Sequence, residues 1–598
     1  MLLLIAAGYT AVAIDAPSGV VSRAGDQSIV LHWDRNSDVD LSGYRVYRSF
    51  SNAGPFTLLN STLLTSQGYC DLSALYVING QTNFYQITAV NTASVESLPS
   101  VTVAVTPNPF ASDDEFLEYV QECSFDYFWY LANPANGLVP DRSANGSACS
   151  IAAVGFGLTA IGIGIDHGWI SRTQGIARVL TTLNTFLQGP QGTNTSGMIG
   201  YNGWFYHFLD MNTAVRASSE LSSIDTVLLL AGILYSKQYF NGDNPDETSI
   251  RTMADSLFNG VNWSWMAQGS DAVSMGWNPP GSFLSGNWVG YDEGMILYCL
   301  GLGTATNPLP ASAWNGWTSG YTWATFYTES FVPFPPLFGH QYSHCWLDFR
   351  HLGDAYMNSH NSTYFENSRR ATLAQRSYCI ANPGGHAGYS SNVWGLTASD
   401  GPAGYTAHGA PPAQGDDGTI APTAPGGSMA FTPEYSVPTL RYFYSHFRPR
   451  IWTAYGFRDA FNLAQGWYGP DELGIDQGPI VIMIENYRTQ RVWKLFMQNQ
   501  EAQVGLQRAG FVPLPFMAPT LQAFPDLNEI SLTWNSLTGR TYQVEYSPEL
   551  ITWFGSPTGE VLASGPTANW TDSGPPDTTL LPFSVSQRFY RVFQFGSP

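Results

Sequence analysis

The residues of this sequence best suited to chemistry are carboxylates set among glycines and aromatics. Asp141 stands in GLVPDRS, Glu220 in ASSELSSIDT, Asp292 and Glu293 in VGYDEGM, and Glu434 in FTPEYS. Asp471, Glu472 and Asp476 fall in WYGPDELGIDQGP. Asp400, Asp416 and Asp417 lie in SDGPAGYTAHGAPPAQGDDGTIAPTAPGGS (399–428), a stretch without Lys or Arg. Hydrolysis of a glycosidic bond needs two such groups, one protonated to assist the leaving oxygen and one ionised to activate water or attack the anomeric carbon. Other chemistries lack their signatures: there is no nucleophile elbow, P-loop, H-E-x-x-H or EF-hand loop, and the glycines of IGIGIDHG (161–168) have no strand-turn-helix context.

Glu220 is followed by Ile224, Val227 and Ala231 at helical spacing, which predicts a side chain on the apolar stripe of a helix. Desolvation there would raise its pKa, as a general acid requires. A first-turn Glu favoured by the helix dipole fits the same pattern, and Asp292-Glu293 could likewise cap the helix that follows. The loop aspartates carry two readings as well. Asp400-Gly401-Pro402 and Asp416-Asp417-Gly418 make good turns, yet a loop this long inside a compact domain is usually functional or disordered.

These residues need elements to position them, and the chain divides by periodicity. Residues 15–108 alternate in period two, as in SIVLHW, GYRVYRS and NFYQITAVN, and resemble a fibronectin type III sandwich. From 112 to 508 the pattern is helical. DDEFLEYVQECSFDYFWYLA, SIAAVGFGLTAIGIGIDHG, RTQGIARVLTTLNTFLQG, SSELSSIDTVLLLAGILYSKQYF and YSHCWLDFRHLGDAYMN are among about a dozen expected helices, with GFRDAFNL a weaker member. Repeated helical hairpins suggest an α/α toroid whose end loops line a cleft. Residues 511–598 return to short strands and resemble an immunoglobulin-like sandwich, with Trp534, Tyr542 and Tyr590 expected in its core.

Composition narrows the partner. The 598 residues carry a formal net charge of −21 and contain only two lysines, Lys237 and Lys494, which disfavours nucleic acid and polyanionic glycans. Aromatics make up 14% and charged residues 12%, a surface suited to neutral, hydroxyl-rich ligands. The six cysteines show no metal or disulfide spacing, and most are expected as buried thiols. MLLLIAAGYTAVA resembles the end of a secretory signal peptide (1–14), which implies a secreted or periplasmic protein. No other stretch is long and apolar enough to predict a membrane span.

Six motifs in one order then carry a family resemblance: SSELSSIDTVLLLAG, VGYDEGMILYCLGLG, FGHQYSHCWLDFR, WGLTASDGPAGY, DDGTIAPTAP and GIDQGPIVIMIENYR. Together they resemble the glycoamylase-like domain of bacterial β-1,2-glucanases, glycoside hydrolase family 144, over roughly residues 115–505. The resemblance implies an (α/α)6 barrel between the two sandwiches and inverting hydrolysis of a neutral β-glucan, with no metal or cofactor. It places the acid at Glu220 and the base at Asp400, with Asp417 as the alternative. The expected monomer would stack sugars on Trp204, Tyr291, Trp394 and Tyr405, and bind hydroxyls through Asp141, Arg142, Glu293, His340, Asp417 and Glu434. One departure bears on linkage and on endo-action: after Asp141-Arg142 this chain reads SANGSACS, without the family's further acidic residues. A non-catalytic glycan-binding protein is the competing class. A polysaccharide lyase, which neutralises uronates with cations, fits the acidic balance poorly.

Overall fold

A computed structural model describes residues 14–595; of the expected leader at 1–14, all but Ile14 lies outside the described residues. The protein is multidomain, with a helical core flanked by two β regions.

In the first β region the alternation predicted from the sequence forms two sheets. Strands β1 (Val21–Gly25), β2 (Ser28–His32) and β5 (Gly68–Asp71) make one, and β4 (Thr57–Leu58), β3 (Leu41–Ser49), β6 (Asn83–Asn91) and β7 (Val103–Val105) make the other. Their inward residues share one core of Ile29, Leu31, Trp33, Tyr44, Val46, Tyr85 and Ile87. The C-terminal region repeats the arrangement with a four-stranded and a three-stranded antiparallel sheet. Trp534 and Tyr542 are fully buried between them, with Tyr590 packed against that core.

Between them, the helical region is held by one continuous hydrophobic core spanning Phe116 to Phe511. Its longer helices are α1 (Asp113–Tyr130), α2 (Ile151–Asp166), α3 (Arg172–Gln188), α4 (Ser223–Tyr239), α5 (Pro245–Asn259), α6 (Met295–Gly303), α7 (Tyr364–Ala381), α8 (Pro433–Ile451), α9 (Gly474–Arg488), α10 (Arg491–Phe496) and α11 (Gln500–Arg508). α2, α4, α6 and α9 are buried on nearly every face, which explains why α2 and α6 are apolar all round instead of striped, while α4 and α9 also bury hydrogen-bonded polar groups such as Thr226, Gln477 and Glu485. α2 and α4 approach backbone to backbone: a Cβ on Gly155 would run into the Leu228 carbonyl, and one on Gly232 into the Gly155 carbonyl. Gly303 of α6 and Gly505 of α11 make the same kind of contact.

Two expected helices do not form. GFRDAFNL becomes short strands around a loop that holds Asp459, and YSHCWLDFRHLGDAYMN breaks into one-turn helices and irregular segments. Asp354 explains the second break, because its side chain caps a new short helix by accepting the Met357 N–H.

Both β regions are tied to the helical body by polar contacts. The Ser28 hydroxyl lies 2.7 Å from the hydroxyls of both Tyr119 on α1 and Tyr444 on α8. Asp126 of α1, 4% exposed, meets Arg23 at 2.6 Å and His32 at 3.1 Å. Burial opposes its charge, but Arg23 and His32 hold the carboxyl below its usual range. At the other end His351 pairs with Glu545 at 2.9 Å. The cysteines are all free, and all but Cys70 are buried. Among the described residues no helix is long and apolar enough to cross a membrane.

Candidate active site

The N-termini of α2, α4, α6 and α9 carry the residues of one acidic cleft. Its centre is the Asp141-Arg142 pair, on the segment that leads from α1 toward α2. Tyr127 of α1 fixes this segment by donating to the Pro140 carbonyl at 2.8 Å, and the Asp141 N–H donates to the Ala148 carbonyl. From the other side Gly474, the first residue of α9, donates its N–H to the Asp141 carbonyl at 2.9 Å. The pair is thus held by backbone bonds on both flanks, as a site built on rigid elements requires.

Arg142 collects carboxylates. Its guanidinium lies 2.8 Å from Asp400 and 3.5 Å from both Asp141 and Asp471. The loop of 399–428 therefore does not lack a cationic partner. The partner comes from 258 residues earlier in the chain, beyond the reach of any local reading. Three acidic partners hold the guanidinium firmly charged against the effect of burial. Asp141 responds in the opposite sense: burial raises its pKa, with Arg142 and His207 pulling it back.

Beside Asp141 lies a second group, built by short strand pairs. β8 (Cys149–Ser150), at the start of α2, pairs with β9 (Phe208–Leu209), and this pairing sets His207 beside the cleft. His207 Nδ1 sits 2.9 Å from Glu220 Oε1, and Nε2 sits 3.5 Å from Asp225 Oδ1. Burial alone would lower the imidazole pKa, but Asp225 and Glu220 outweigh it and bring it to about 9. Conversely, the hydrogen bond from His207 holds Glu220 below the ordinary carboxylate range.

This corrects two expectations about Glu220. It precedes the helix, since α4 starts at Ser223 with Ser222 as N-cap accepting the Asp225 N–H. Its environment favours the carboxylate, because a cation reaches it before the apolar stripe does.

Asp292 and Glu293 divide the roles that the sequence left open. Asp292 is structural: it accepts the Trp317 indole N–H at 3.0 Å and the Gly294 N–H at 2.8 Å, and burial brings its pKa to about 6. The Glu293 carboxyl has no hydrogen-bond partner among the described residues. Burial first, then the charges of Asp225 and Asp292, push its pKa well above the usual value. Tyr405 on the 399–428 loop is 62% exposed as a residue, while desolvation of its hydroxyl and the charges of Glu293, Asp476, Asp459 and Asp141 bring its pKa to about 12.

The remaining expected site residues are dispersed. Asp417 lies outside this group, accepting the Thr419 N–H and standing 3.4 Å from His408. Its neighbour Asp416 orders the loop by accepting from Tyr378 and Tyr389, each at 2.7 Å. Trp204, His340 and Trp394 are completely buried, and Tyr291 is 6% exposed. Trp204 stacks edge-on against Trp263, and Tyr291 packs against His340, whose pKa burial brings down to about 3. None of the four offers a free ring face or polar edge to a sugar. Glu434 lines a separate cavity of about 400 Å³ between the helical body and the C-terminal strands, 3.9 Å from Arg369.

The sequence reading omitted His207 and Asp225 and left Asp459, Asp471 and Asp476 without roles or unnoticed. The Ser222-x-x-Asp225 capping pattern was the available signal for the helix start, and hence for Asp225. Among the described residues no group of His, Cys, Asp or Glu has the arrangement of a metal site.

The arrangement offers two carboxylate groups, one around Glu220 and one around Asp400, linked through Asp141-Arg142, with the exposed Tyr405 nearby. The chain as a whole is similar to several known proteins. The family model described as "Putative glucoamylase" matches residues 285–500. The exo β-1,2-glucooligosaccharide sophorohydrolase (non-reducing end) of Parabacteroides distasonis is 33% identical over 536 residues, which span 83% of this chain and 71% of that protein. A crystal structure of β-1,2-glucanase from Parabacteroides distasonis matches with a TM-score of 0.74 at 31% identity, covering 83% of this chain and 73% of that one. An endo-β-1,2-glucanase from Chitinophaga pinensis, solved with sophorotriose and glucose, matches with a TM-score of 0.62 at 32% identity, covering 67% of this chain and 99% of that one.

Proposed function

This chain belongs to the glycoamylase-like family that includes bacterial β-1,2-glucan hydrolases, and from that premise we propose that it hydrolyses β-1,2-glucan or its oligosaccharides with inversion. The observation that carries this reading is the Asp141-Arg142 pair set between two carboxylate groups. Asp400 serves as base, with its carboxylate oriented by Arg142, and takes a proton from the attacking water. Glu220 is the acid expected from the sequence; because the His207 imidazolium beside it holds it as the carboxylate, it must take up a proton from solvent before giving one to the leaving oxygen. An inverting enzyme holds such carboxyls about 6.5–9.5 Å apart to admit the water. The Tyr405 ring provides a stacking face for a glucosyl unit.

The finer architecture follows from the same reading: an (α/α)6 toroid over residues 112–508, a fibronectin type III-like sandwich at 15–108 and an immunoglobulin-like sandwich at 511–598. The protein acts as a secreted or periplasmic monomer.

A second assignment of the acid is favoured by one observation. Glu293 has no hydrogen-bond partner for its carboxyl among the described residues, and burial raises its pKa well above the usual carboxylate value, the direction an acid requires. Glu220→Gln and Glu293→Gln separate the two assignments, because the true acid loses activity on glucan while the other variant retains measurable turnover. Asp400→Asn should abolish reducing-sugar release with folding intact; near-normal release would remove Asp400 from the base role. Following product anomers by NMR tests inversion. A product time course on linear β-1,2-glucan distinguishes a single disaccharide, as from an exo enzyme, from a ladder, as from an endo enzyme. Binding of glucan with no turnover at all would favour the non-catalytic alternative.

A further inference from the structure

Two carboxyls behind Asp400 are left unused by this mechanism. Asp459 lies in the loop between the strands Gly456–Phe457 and Phe461–Asn462, and Asp476 is the third residue of α9. They are 2% and 4% exposed. Asp459 Oδ2 accepts the Asp400 backbone N–H at 2.8 Å, and the Asp459 N–H donates to the Asp471 carbonyl at 3.0 Å. Asp459 is therefore a strap between the base and a neighbour of its cation Arg142.

Each of the two carboxyls keeps one buried oxygen, Oδ1 of Asp459 and Oδ2 of Asp476, with no N–H or hydroxyl partner among the described residues. The two carboxyls face each other at interacting range, so a hydrogen bond between them is the one way left among the described residues to satisfy these oxygens. A carboxyl–carboxyl hydrogen bond requires a proton on one member, since two ionised carboxylates at that range repel and neither can donate.

We infer that Asp459 and Asp476 share a single proton and act together as positioning residues that hold Asp400 in place. With that proton the pair carries one negative charge, and Asp459 Oδ2 stays fixed on the Asp400 N–H. Without it, two charges face each other behind the base and the strap loosens. Burial supports the shared proton: it raises both carboxyls above the usual range, and the charge of Asp459 adds to the shift of Asp476. The titratable groups facing the pair are Asp141, Arg142 and Asp400 and the phenols of Tyr127, Tyr342 and Tyr405. Of these, Arg142 is the cation and lies nearer Asp400 than the pair's buried oxygens.

The inference rests on Asp400 being the base, and the test separates the two ideas. The full chain is assayed on β-1,2-glucan from pH 4 to 10 as wild type, Asp476→Asn, Asp476→Ala and Asp400→Asn, with circular dichroism on each. A carboxamide at 476 donates to Asp459 at every pH, so the alkaline limb of kcat/KM should move up by one pH unit or more in Asp476→Asn. Alanine removes the donor, so Asp476→Ala should be at least tenfold less active than Asp476→Asn. An inactive Asp400→Asn together with an Asp476→Asn profile that superimposes on wild type overturns the inference alone. An active Asp400→Asn overturns the base assignment. Equal activity of the Asn and Ala variants at 476 overturns the shared-proton inference, and if Asp476→Ala does not fold, the Asp476→Asn profile decides.

Discussion

The Asp400 carboxylate lies 2.8 Å from the Arg142 guanidinium, a bond that joins the loop over the cleft to the segment entering α2. The same guanidinium reaches Asp141 and Asp471, so one cation sets the relative position of three carboxylates from three parts of the chain.

Lysine cannot replace that fork, because a point charge on a flexible stem does not bridge three acceptors in fixed directions. Arg142→Lys should fold normally and lose about 10²-fold in kcat/KM, the order expected from a misplaced reacting group. Steady-state kinetics on sophorooligosaccharides, alongside thermal melting, checks both halves.

The His207–Glu220 pair predicts a pH-dependent stability. The folded imidazole pKa of about 9 stands above its unfolded value near 6.5. Its contribution is therefore complete below about pH 6.5 and lost as pH rises through about 9. The shift corresponds to roughly 3 kcal/mol, with the lowered Glu220 being the same interaction and not a second one. His207→Gln should melt below wild type at pH 6, and the two curves should converge by pH 10. A gap that is constant across that range would assign the effect to packing.

Gly155 and Gly232 have no room for a side chain, and the obstacle at each is a carbonyl of the opposing helix. Backbone cannot swing aside as a side-chain tip can. Gly155→Ala should lower stability by about 3 kcal/mol or more, toward the upper end of overpacking effects, or prevent folding. Urea denaturation monitored by tryptophan fluorescence measures it.

The exposed ring of Tyr405 predicts a split between two substitutions. Tyr405→Ala should raise KM by about 2–10-fold, the equivalent of one lost stacking contact of roughly 0.5–1.5 kcal/mol. Tyr405→Phe keeps the ring and should stay near wild type in KM. If both variants raise KM alike, the hydroxyl and not the ring makes the contact, and if neither raises it, Tyr405 makes no contact with the sugar.

The legible parts of this protein were those encoded by short-range pattern. SIVLHW and NFYQITAVN became strands as their pattern predicts, though β2 is buried on both faces and β6 at all but Phe84 and Gln86, and IAAVGFGLTAIGIG became a helix buried all round because no face of it is polar. Asp141, Arg142, Glu220, Glu293, Asp400 and Tyr405 were named from sequence, and the structure brings them to one cleft. Their states were not legible. The ionisation of Glu220 depends on His207, which reaches it through a strand pairing, and a helix spacing that runs from 220 into α4 hides the true start at Ser223. The aromatic positions misled for a related reason: in a chain so rich in rings, Trp204 and Trp394 serve the core, and type alone does not distinguish a buried indole from an open one.

The contact of Asp126 with Arg23 and His32 alters how this protein can be dissected. A cut at the sequence boundary near residue 110 would remove both counter-ions together with the strands that cover them, and would open to water the α1 surface on which His32 stacks against Tyr130 and Val30 joins the helical core. The first hundred residues are therefore not a detachable accessory. An expression strategy that trims them would have to make the uncovered apolar positions of α1 polar, and the unit that packs together is wider than the unit that sequence periodicity outlines.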